Sequence, residues 1–410
     1  MQTGGCWLIT GQQRPVSGML SEVSCYKFYV LTKMGMQYNR QPDMIQVDQL
    51  MQQAVDDGVF PGAVLLVSQN DRCVFNDAFG FRNIIAESPM TTDTVFDLAS
   101  LTKPLATALA VMVLVQQNKV GLDQNLGDVL PAFKKDPKAS IRIKHLLYHN
   151  SGLADYKAFY KKIEHLPLKE RKAALRKLLV KEPLVHPVGS RVVYSDIGFM
   201  ILEWLVEEIC GKRLDHFVSA IIYNPLGLGN LFFIDLQAAR KPDVFAATEQ
   251  CHWRQQIQSG QVHDENAYVV GGVQGHAGLF GTAKDVNSLL GHLLAAYHGQ
   301  PSTQLFQPDM VRLFFRRLAD SDKALGFDTP SSSGSSSGRF FSRNSVGHLG
   351  FTGTSFWVDL DRSIVVILLT NRVHPTRDNE AIKKFRPQLH DAVMLSLLGS
   401  KVQGSEVLWF

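Results

Sequence analysis

Strand-forming sequence sits at the two ends of this 410-residue chain, and a long helical block separates them. Early on, GAVLLVSQNDRCVFNDAFG (62–80) reads as two strands around an Asn70-Asp71 turn, a hairpin signal. Near the other end, GHLGFTGTSFWVDL (347–360) and SIVVILLTN (363–371) alternate or run apolar like adjacent antiparallel strands joined through Asp361 and Arg362. Helices flank both sets. MIQVDQLMQQAVDDGV (44–59) is closed by Gly58 and Pro61, and a last helix spans about Glu380 to Leu398 with Pro387 as a flaw. Between Lys119 and about Gln300 the pattern is mostly helical, GFMILEWLVEEICG (198–211) being its clearest amphipathic piece with Gly211 as C-cap.

This pattern predicts an α+β fold, with one antiparallel sheet built from both chain ends, flanked by terminal helices, and a mainly helical domain inserted in the middle. The expected boundaries are 41–118 and 270–410 for the sheet domain and 119–269 for the helical one. Residues 1–40 show no clear period and are expected to be an extension without fixed order, Met34 or Met36 being candidate natural starts. The tract Ser331–Gly338 is expected to be a flexible Ser/Gly loop. A cleft between sheet and helical block is the natural place for a site.

Composition narrows the function classes. Net charge is +4 and no segment concentrates it, since the locally basic KKIEHLPLKERKAALRKLLVK (161–181) reads as a solvated helix face, so no nucleic-acid partner is expected. Five scattered cysteines without a C-x-x-C pair argue against a disulfide framework or zinc site. No uninterrupted apolar run reaches the length of about 18 that spans a bilayer, so no transmembrane segment is expected. The N-terminal stretch lacks the basic and apolar regions of a secretory signal, which slightly favours the cytoplasm while leaving the envelope open.

One apolar stretch carries an anomaly. In FDLASLTKPLATALAVMVLV (96–115), Ser100 and Lys103 stand at the head of a run with hardly another polar group before Gln116. Residues three apart share a helix face, with about 5–6 Å between Cβ atoms. A hydroxyl becomes a useful nucleophile when a neighbouring base takes its proton, and a lysine can be that base when its pKa is lowered. Backbone N–H groups at the helix start favour an oxyanion at the same place. Alone, Ser100 reads equally as an N-cap and Lys103 as a first-turn surface residue.

Two further segments weigh against that bland reading. VVYSDIGFMILEWL (192–205) places Tyr194 and Asp196 at a second helix start, and a phenol beside a cation can shuttle protons. GHLGFTGTSFW (347–357) begins a late strand with His348 and carries glycines at 347, 350 and 353, a sign of close approach to the backbone. S-x-x-K, then Y-x-[ND], then [KH]-x-G in that order resembles the serine β-lactamase and penicillin-binding protein superfamily. The likeness is to its class C-like branch, with esterases and D-alanyl-D-alanine carboxypeptidases, over about 44–398. It implies Ser100 as nucleophile forming an acyl-enzyme, Lys103 as its partner and base, and Tyr194 as the group passing protons to the leaving group. It implies an oxyanion hole from the backbone N–H groups of Ser100 and Phe351. Asp196, His348, Gly350 and Thr352 fall at substrate-binding or supporting positions, and no cofactor is implied.

Three positions depart from the family pattern. Asp196 stands where asparagine is usual and brings a carboxylate near Lys103, which is expected to raise the lysine pKa and leave Tyr194 a larger share of the base role; His348 replaces lysine, so its charge is expected to depend on pH; Leu349 replaces threonine. All three weaken recognition of an anionic β-lactam and favour a small, less charged ester or amide. A D-alanyl peptidase or weak β-lactamase is the alternative, with Thr352 or Thr354 supplying the missing hydroxyl. A non-catalytic binding protein on the same fold is the alternative of another class, though a binder has no physical need of the Ser-Lys-Tyr trio. His263, Asp264, Glu265 and His276 lack zinc spacing, and no metal is expected; His145 and His149, four apart, read as helix-packing histidines.

Overall fold

The computed structural model describes residues 44–236 and 244–399. The expected N-terminal extension lies outside the described residues. The hairpin forms as read: β1 (Gly62–Gln69) and β2 (Arg72–Asn83) pair antiparallel across Asn70 and Asp71, both with positive φ (51° and 62°), the geometry that matches the twist of a tight hairpin. β3 (Ser88–Pro89) extends this edge. On the other side of β1 lies not a sequence neighbour but a strand from the far end of the chain. The late strands are β7 (Ser345–Leu349), β8 (Ser355–Asp359) and β9 (Ile364–Thr370), and the sheet order is β3-β2-β1-β9-β8-β7. Leu65 faces Leu368 across the β1–β9 seam.

Both sheet faces are dry, which explains why these strands read as nearly continuous apolar runs. Val64 and Leu66 with Val365, Ile367 and Leu369 point into one core. Ala63, Leu65 and Val67 with Ile364, Val366 and Leu368 point into another. That second face is covered by α1 (Ile45–Asp56) and α6 (Ile382–Leu398), whose packing includes Phe60 edge-on to Phe385 at 5.5 Å. α6 contains Pro387, as the sequence reading anticipated.

The first face carries the buried helical stretch that starts at Ala99. Its apolar side chains, ending in α2 (Leu109–Gln116), join those of α3 (Leu168–Lys181), α4 (Asp196–Cys210, closed by Gly211 at φ 64°) and α5 (Ala283–Tyr297) in one continuous core. A small sheet, β4 (Phe96–Asp97), β6 (Leu279–Gly281) and β5 (Leu231–Phe233), in the order β4-β6-β5, joins the segment before Ser100 to the middle of the chain. Although Ser100, Thr102, Lys103 and Thr107 interrupt the apolar run, residues 99–116 reach bilayer length with mean hydropathy 1.4. They are 83% buried inside the protein, as befits a core helix.

The Ser/Gly tract is irregular backbone but closely held. Ser337 is fully buried, the Ser336 carbonyl accepts from His390 Nδ1 at 2.6 Å, and Arg339 N–H donates to Asp391 at 2.6 Å.

Candidate active site

The helix expected to start at Ser100 is broken into three pieces. Ala99–Leu101 is a 3₁₀ turn, Lys103–Ala108 is π-helical, and only Leu109–Gln116 is α-helical. Pro104 lacks the N–H that an α-helix needs, and π-helical turns gather at functional sites. Ala99, just before the serine, adopts φ +48°, a conformation that non-glycine residues seldom take without support. Asp97 supplies the support. Its Oδ1 accepts from Ala99 N–H at 2.9 Å and its Oδ2 from His263 N–H at 2.6 Å, while its carbonyl accepts from Thr352 Oγ1 at 2.8 Å. The buried Asp97 thus ties the serine turn and the 263 loop through its carboxylate and the β7–β8 turn through its carbonyl.

Lys103 is fully buried, and besides the Tyr194 hydroxyl its Nζ has as oxygen neighbours Ser100 Oγ at 3.0 Å, the His276 carbonyl at 3.1 Å and Asp196 Oδ1 at 2.7 Å. Nζ also lies 4.8 Å from the centre of the Tyr194 ring. Burial by itself lowers the lysine pKa, but the Asp196 carboxylate and the Tyr194 phenol outweigh it and hold the ammonium above its ordinary value. Tyr194 moves the same way: burial of its phenol and the Asp196 charge outweigh Lys103 and push it up, although it hydrogen-bonds both Lys103 and Ser100. The ammonium agrees with what the Asp196 carboxylate led the sequence reading to expect, whereas the phenol, read as losing proton affinity beside a cation, is corrected. The resting site holds a lysine ammonium, an aspartate and a phenol.

Tyr194 keeps 37% of its surface exposed while its ring is clamped between two imidazoles. His149 lies 4.6 Å away and His348 5.9 Å away, centre to centre. His149 is more than the helix-packing residue anticipated. Its Nδ1 accepts from Ser195 N–H at 2.9 Å and its carbonyl from Val193 N–H at 2.8 Å, so it grips the Tyr-Ser-Asp turn on both sides of Tyr194. The Ser195 hydroxyl caps α4 by accepting from Gly198 N–H, which sets Asp196 in the first turn facing Lys103.

His348 is 1% exposed, and burial pushes its pKa down to about 4. It is neutral across the physiological range, so the expected pH-dependent charge is absent. Its Nδ1 bonds the Leu349 carbonyl at 2.9 Å, which leaves Nε2 buried without a partner among the described residues. A cation does stand nearby: Lys323 pairs with Asp328 at 2.6 Å, and Asp328 is bridged to Gly347, next to His348.

At Gly350, a Cβ would fall 2.8 Å from the Leu98 carbonyl and 2.0 Å from Thr354 Oγ1. The glycine therefore lets the β7–β8 turn lie directly on the segment leading to Ser100. Thr352 and Thr354 complete this join, donating to the carbonyls of Asp97 and Leu98 at 2.8 and 3.1 Å. Both are buried and spent on backbone, so neither is the substituting hydroxyl that the sequence suggested. Phe351, at the tip, is 48% exposed; Arg372 donates twice to its carbonyl, at 2.9 and 2.6 Å, and lies over its ring.

Asp196, Asp264 and His276 bring one ligand atom each within 4.8 Å of one another, a spacing that could hold a metal ion. All three are already engaged, Asp196 by Lys103, and His276 Nε2 and Asp264 Oδ1 by each other at 2.9 Å. Asp97, His149 and Asp264 are the site residues that sequence reasoning missed. Only HNSG beside the helix end at 149–152 and the aspartate ahead of the serine offered any signal.

A family model described as "Beta-lactamase" matches residues 47–389. An N-acetylmuramyl-L-alanine amidase of Bacillus subtilis is 36% identical over 371 residues, covering 82% of each chain. A protein of Escherichia coli named "Putative D-alanyl-D-alanine carboxypeptidase" is 32% identical over 386 residues, covering 86% of this chain and 88% of that one. Among solved structures, EstCE1, a hydrolase with promiscuous acyltransferase activity, superposes with a TM-score of 0.69 at 24% identity, over 86% of this chain and 98% of that one. The octameric penicillin-binding protein homologue from Pyrococcus abyssi gives 0.66 at 18%, over 88% and 77%. At those identities the structural likeness speaks for the fold. With the family match and the sequence relatives beside the Ser100–Lys103–Tyr194 geometry, the chain belongs to the beta-lactamase family of serine hydrolases.

Proposed function

We propose that this chain hydrolyses small, uncharged esters or amides by acylating Ser100. Lys103 and Tyr194 handle the protons, and the backbone N–H groups of Ser100 and Phe351 receive the oxyanion. The observation that carries the reading is the 3.0 Å contact between Ser100 Oγ and Lys103 Nζ beside a wall of neutral imidazole. A fixed cation at position 348 would attract a substrate carboxylate. The buried His348 offers a lone pair instead, which repels one. Of the neighbouring cations, Lys323 is paired with Asp328 and Arg377 with Glu249 and Glu265, while Arg372 is spent on the backbone carbonyls of Phe351, Arg377 and Asn379.

A second reading, cleavage of a D-alanyl peptide or muramyl amide, is favoured by the names of the relatives. Arg377, 36% exposed and near Phe351, is the cation that a peptide carboxylate would have to win from its two glutamates.

Intact-protein mass spectrometry after exposure to a fluorophosphonate, a fluorescent penicillin and short p-nitrophenyl esters tests both, with Ser100→Ala and Lys103→Ala as controls. A Ser100 adduct with ester turnover and little penicillin adduct supports the first reading, and His348→Lys should then raise penicillin labelling about tenfold or more, as a restored cation is worth about 1.4 kcal/mol or more at such a site. A long-lived penicilloyl adduct on the wild type supports the second. A folded protein inert to every probe overturns the hydrolase.

A further inference from the structure

An ammonium carries three protons and no lone pair. In the resting site the Asp196 carboxylate and the Tyr194 phenol hold Lys103 as such an ammonium, and besides Tyr194 three oxygen neighbours surround it. In that state it cannot receive the proton of Ser100. Tyr194 offers no way round, because its phenol keeps its own proton. One proton must leave the lysine before another can arrive. Of the three neighbours, Ser100 is the group to be deprotonated, and the His276 carbonyl is an amide oxygen, far too weak a base to hold a proton. Asp196 is what remains, 2.7 Å from Nζ and fixed there by its place in the first turn of α4.

We propose that Asp196 is the proton acceptor for Lys103 during acylation, so that Ser100 is activated by a lysine–aspartate pair and not by lysine alone. The proposal rests on the acyl-enzyme reading above and assigns a step within it. A proton passes from Lys103 Nζ to Asp196 Oδ1, leaving a neutral amine beside a neutral acid. The amine turns about its terminal C–N bond, presents its lone pair to Ser100 and takes the hydroxyl proton as Oγ bonds to the substrate carbonyl carbon. The carbonyl electron pair moves to oxygen, facing the backbone N–H groups. When the intermediate collapses, the bond to the leaving group breaks, that group takes the Tyr194 hydroxyl proton, and Tyr194 takes one in turn from the Lys103 ammonium. Asp196 then returns its proton to the amine. Protons and charge balance, and the resting pair is restored.

Two further contacts suit Asp196 to this part. The His276 carbonyl that holds the amine through the exchange belongs to a residue pinned by Asp264, whose Oδ1 takes His276 Nε2 at 2.9 Å. Asp264 in turn accepts from Ala267 N–H at 2.7 Å, so the amine turns against a fixed oxygen. The family's usual asparagine would hold the lysine in place but could not store a proton.

The test is Asp196→Asn, which keeps the shape and removes the acceptor. Ser100 acylation is followed by single-turnover release of p-nitrophenol, with a proton inventory in mixed H₂O and D₂O. The expected result is a loss of about 10²-fold in acylation rate, with a bowed inventory in the wild type becoming linear in the variant. An Asp196→Asn protein that acylates as fast as wild type or faster overturns the relay, since it would show that the carboxylate merely holds the lysine charged. An equally bowed inventory in both overturns it too. Should the asparagine variant not fold, Asp196→Glu takes its place: keeping a carboxylate in reach, it should stay within about tenfold of wild type with the inventory still bowed, and a linear inventory there overturns the relay. A wild type that no ester or fluorophosphonate acylates removes the hydrolase reading and the relay together, whereas an active wild type with an unaffected Asp196→Asn removes the relay alone.

Discussion

His149 Nδ1 takes the backbone N–H of Ser195 at 2.9 Å while its ring lies 4.6 Å from that of Tyr194, so one side chain fixes both the backbone and the ring of the proposed proton-transfer residue. His149→Phe would preserve the ring contact and remove the acceptor. A buried N–H left without a partner costs about 1–3 kcal/mol. The expected outcome is a lower melting temperature together with a fall in kcat of about tenfold or more, KM changing less, because the phenol is displaced while substrate contacts elsewhere remain. Ester kinetics and a thermal melt on the same preparation check this.

Gly350→Ala should separate activity from stability more sharply. The added methyl would strike the Leu98 carbonyl and the Thr354 hydroxyl, both of them parts of the join between the serine segment and the β7–β8 turn. Overpacking costs about 1–3 kcal/mol. Moving the Phe351 N–H off the oxyanion position costs about 10²–10³ in kcat. A variant that still melts cooperatively but has lost two orders of magnitude in ester turnover is the expected result. Full activity would place the oxyanion donor elsewhere.

Buried neutral histidines should make the protein acid-labile. Burial holds His348 and His390 down at about 4, and His149 well below its ordinary value. The unfolded chain takes up these protons near pH 6.5 and the folded one only much lower. Stability from these groups is therefore complete above about pH 6.5 and drains as pH falls toward 4, by up to about 3 kcal/mol for each of His348 and His390. Glu203, raised to about 8 by burial, runs the other way, so the comparison must be between proteins. Urea unfolding of wild type and His390→Phe at pH 7 and pH 5 should show a smaller loss in the variant. Equal losses would mean that His390 is not buried and neutral.

Much of this was legible in the sequence because spacing survives folding. A serine and a lysine three apart meet whether the turn is 3₁₀, α or π, so the Ser100–Lys103 contact did not depend on the helix type, which the sequence reading missed. The two-ended sheet was legible because β1 and β9 are apolar on both faces and have no other partners of that kind. The electrostatics were legible only in part, since proton affinities depend on burial and on the sum over neighbours: Lys103 beside Asp196 is an ammonium as expected, but Tyr194 and His348, inside the fold, departed from their expected behaviour. Nor were the threonines. Whether a hydroxyl faces substrate or backbone is decided by which carbonyls pack against it, and for Thr352 and Thr354 those belong to Asp97 and Leu98, some 255 residues away in sequence.

The seam between β1 and β9 also sets a schedule. Leu65 pairs with Leu368, and the turn that lies on the serine segment is made just before β9. A ribosome adding roughly 5–20 residues per second needs roughly 15–60 s to cover the intervening stretch. Throughout that time β1, apolar on both faces, has one edge open and Ser100 has no oxyanion turn beside it. The nascent chain therefore holds its proposed nucleophile without the means to use it. Hydrolysis at the proposed site becomes possible only once β9 has been made, and until then the bare edge of β1 is the surface that a chaperone would need to cover.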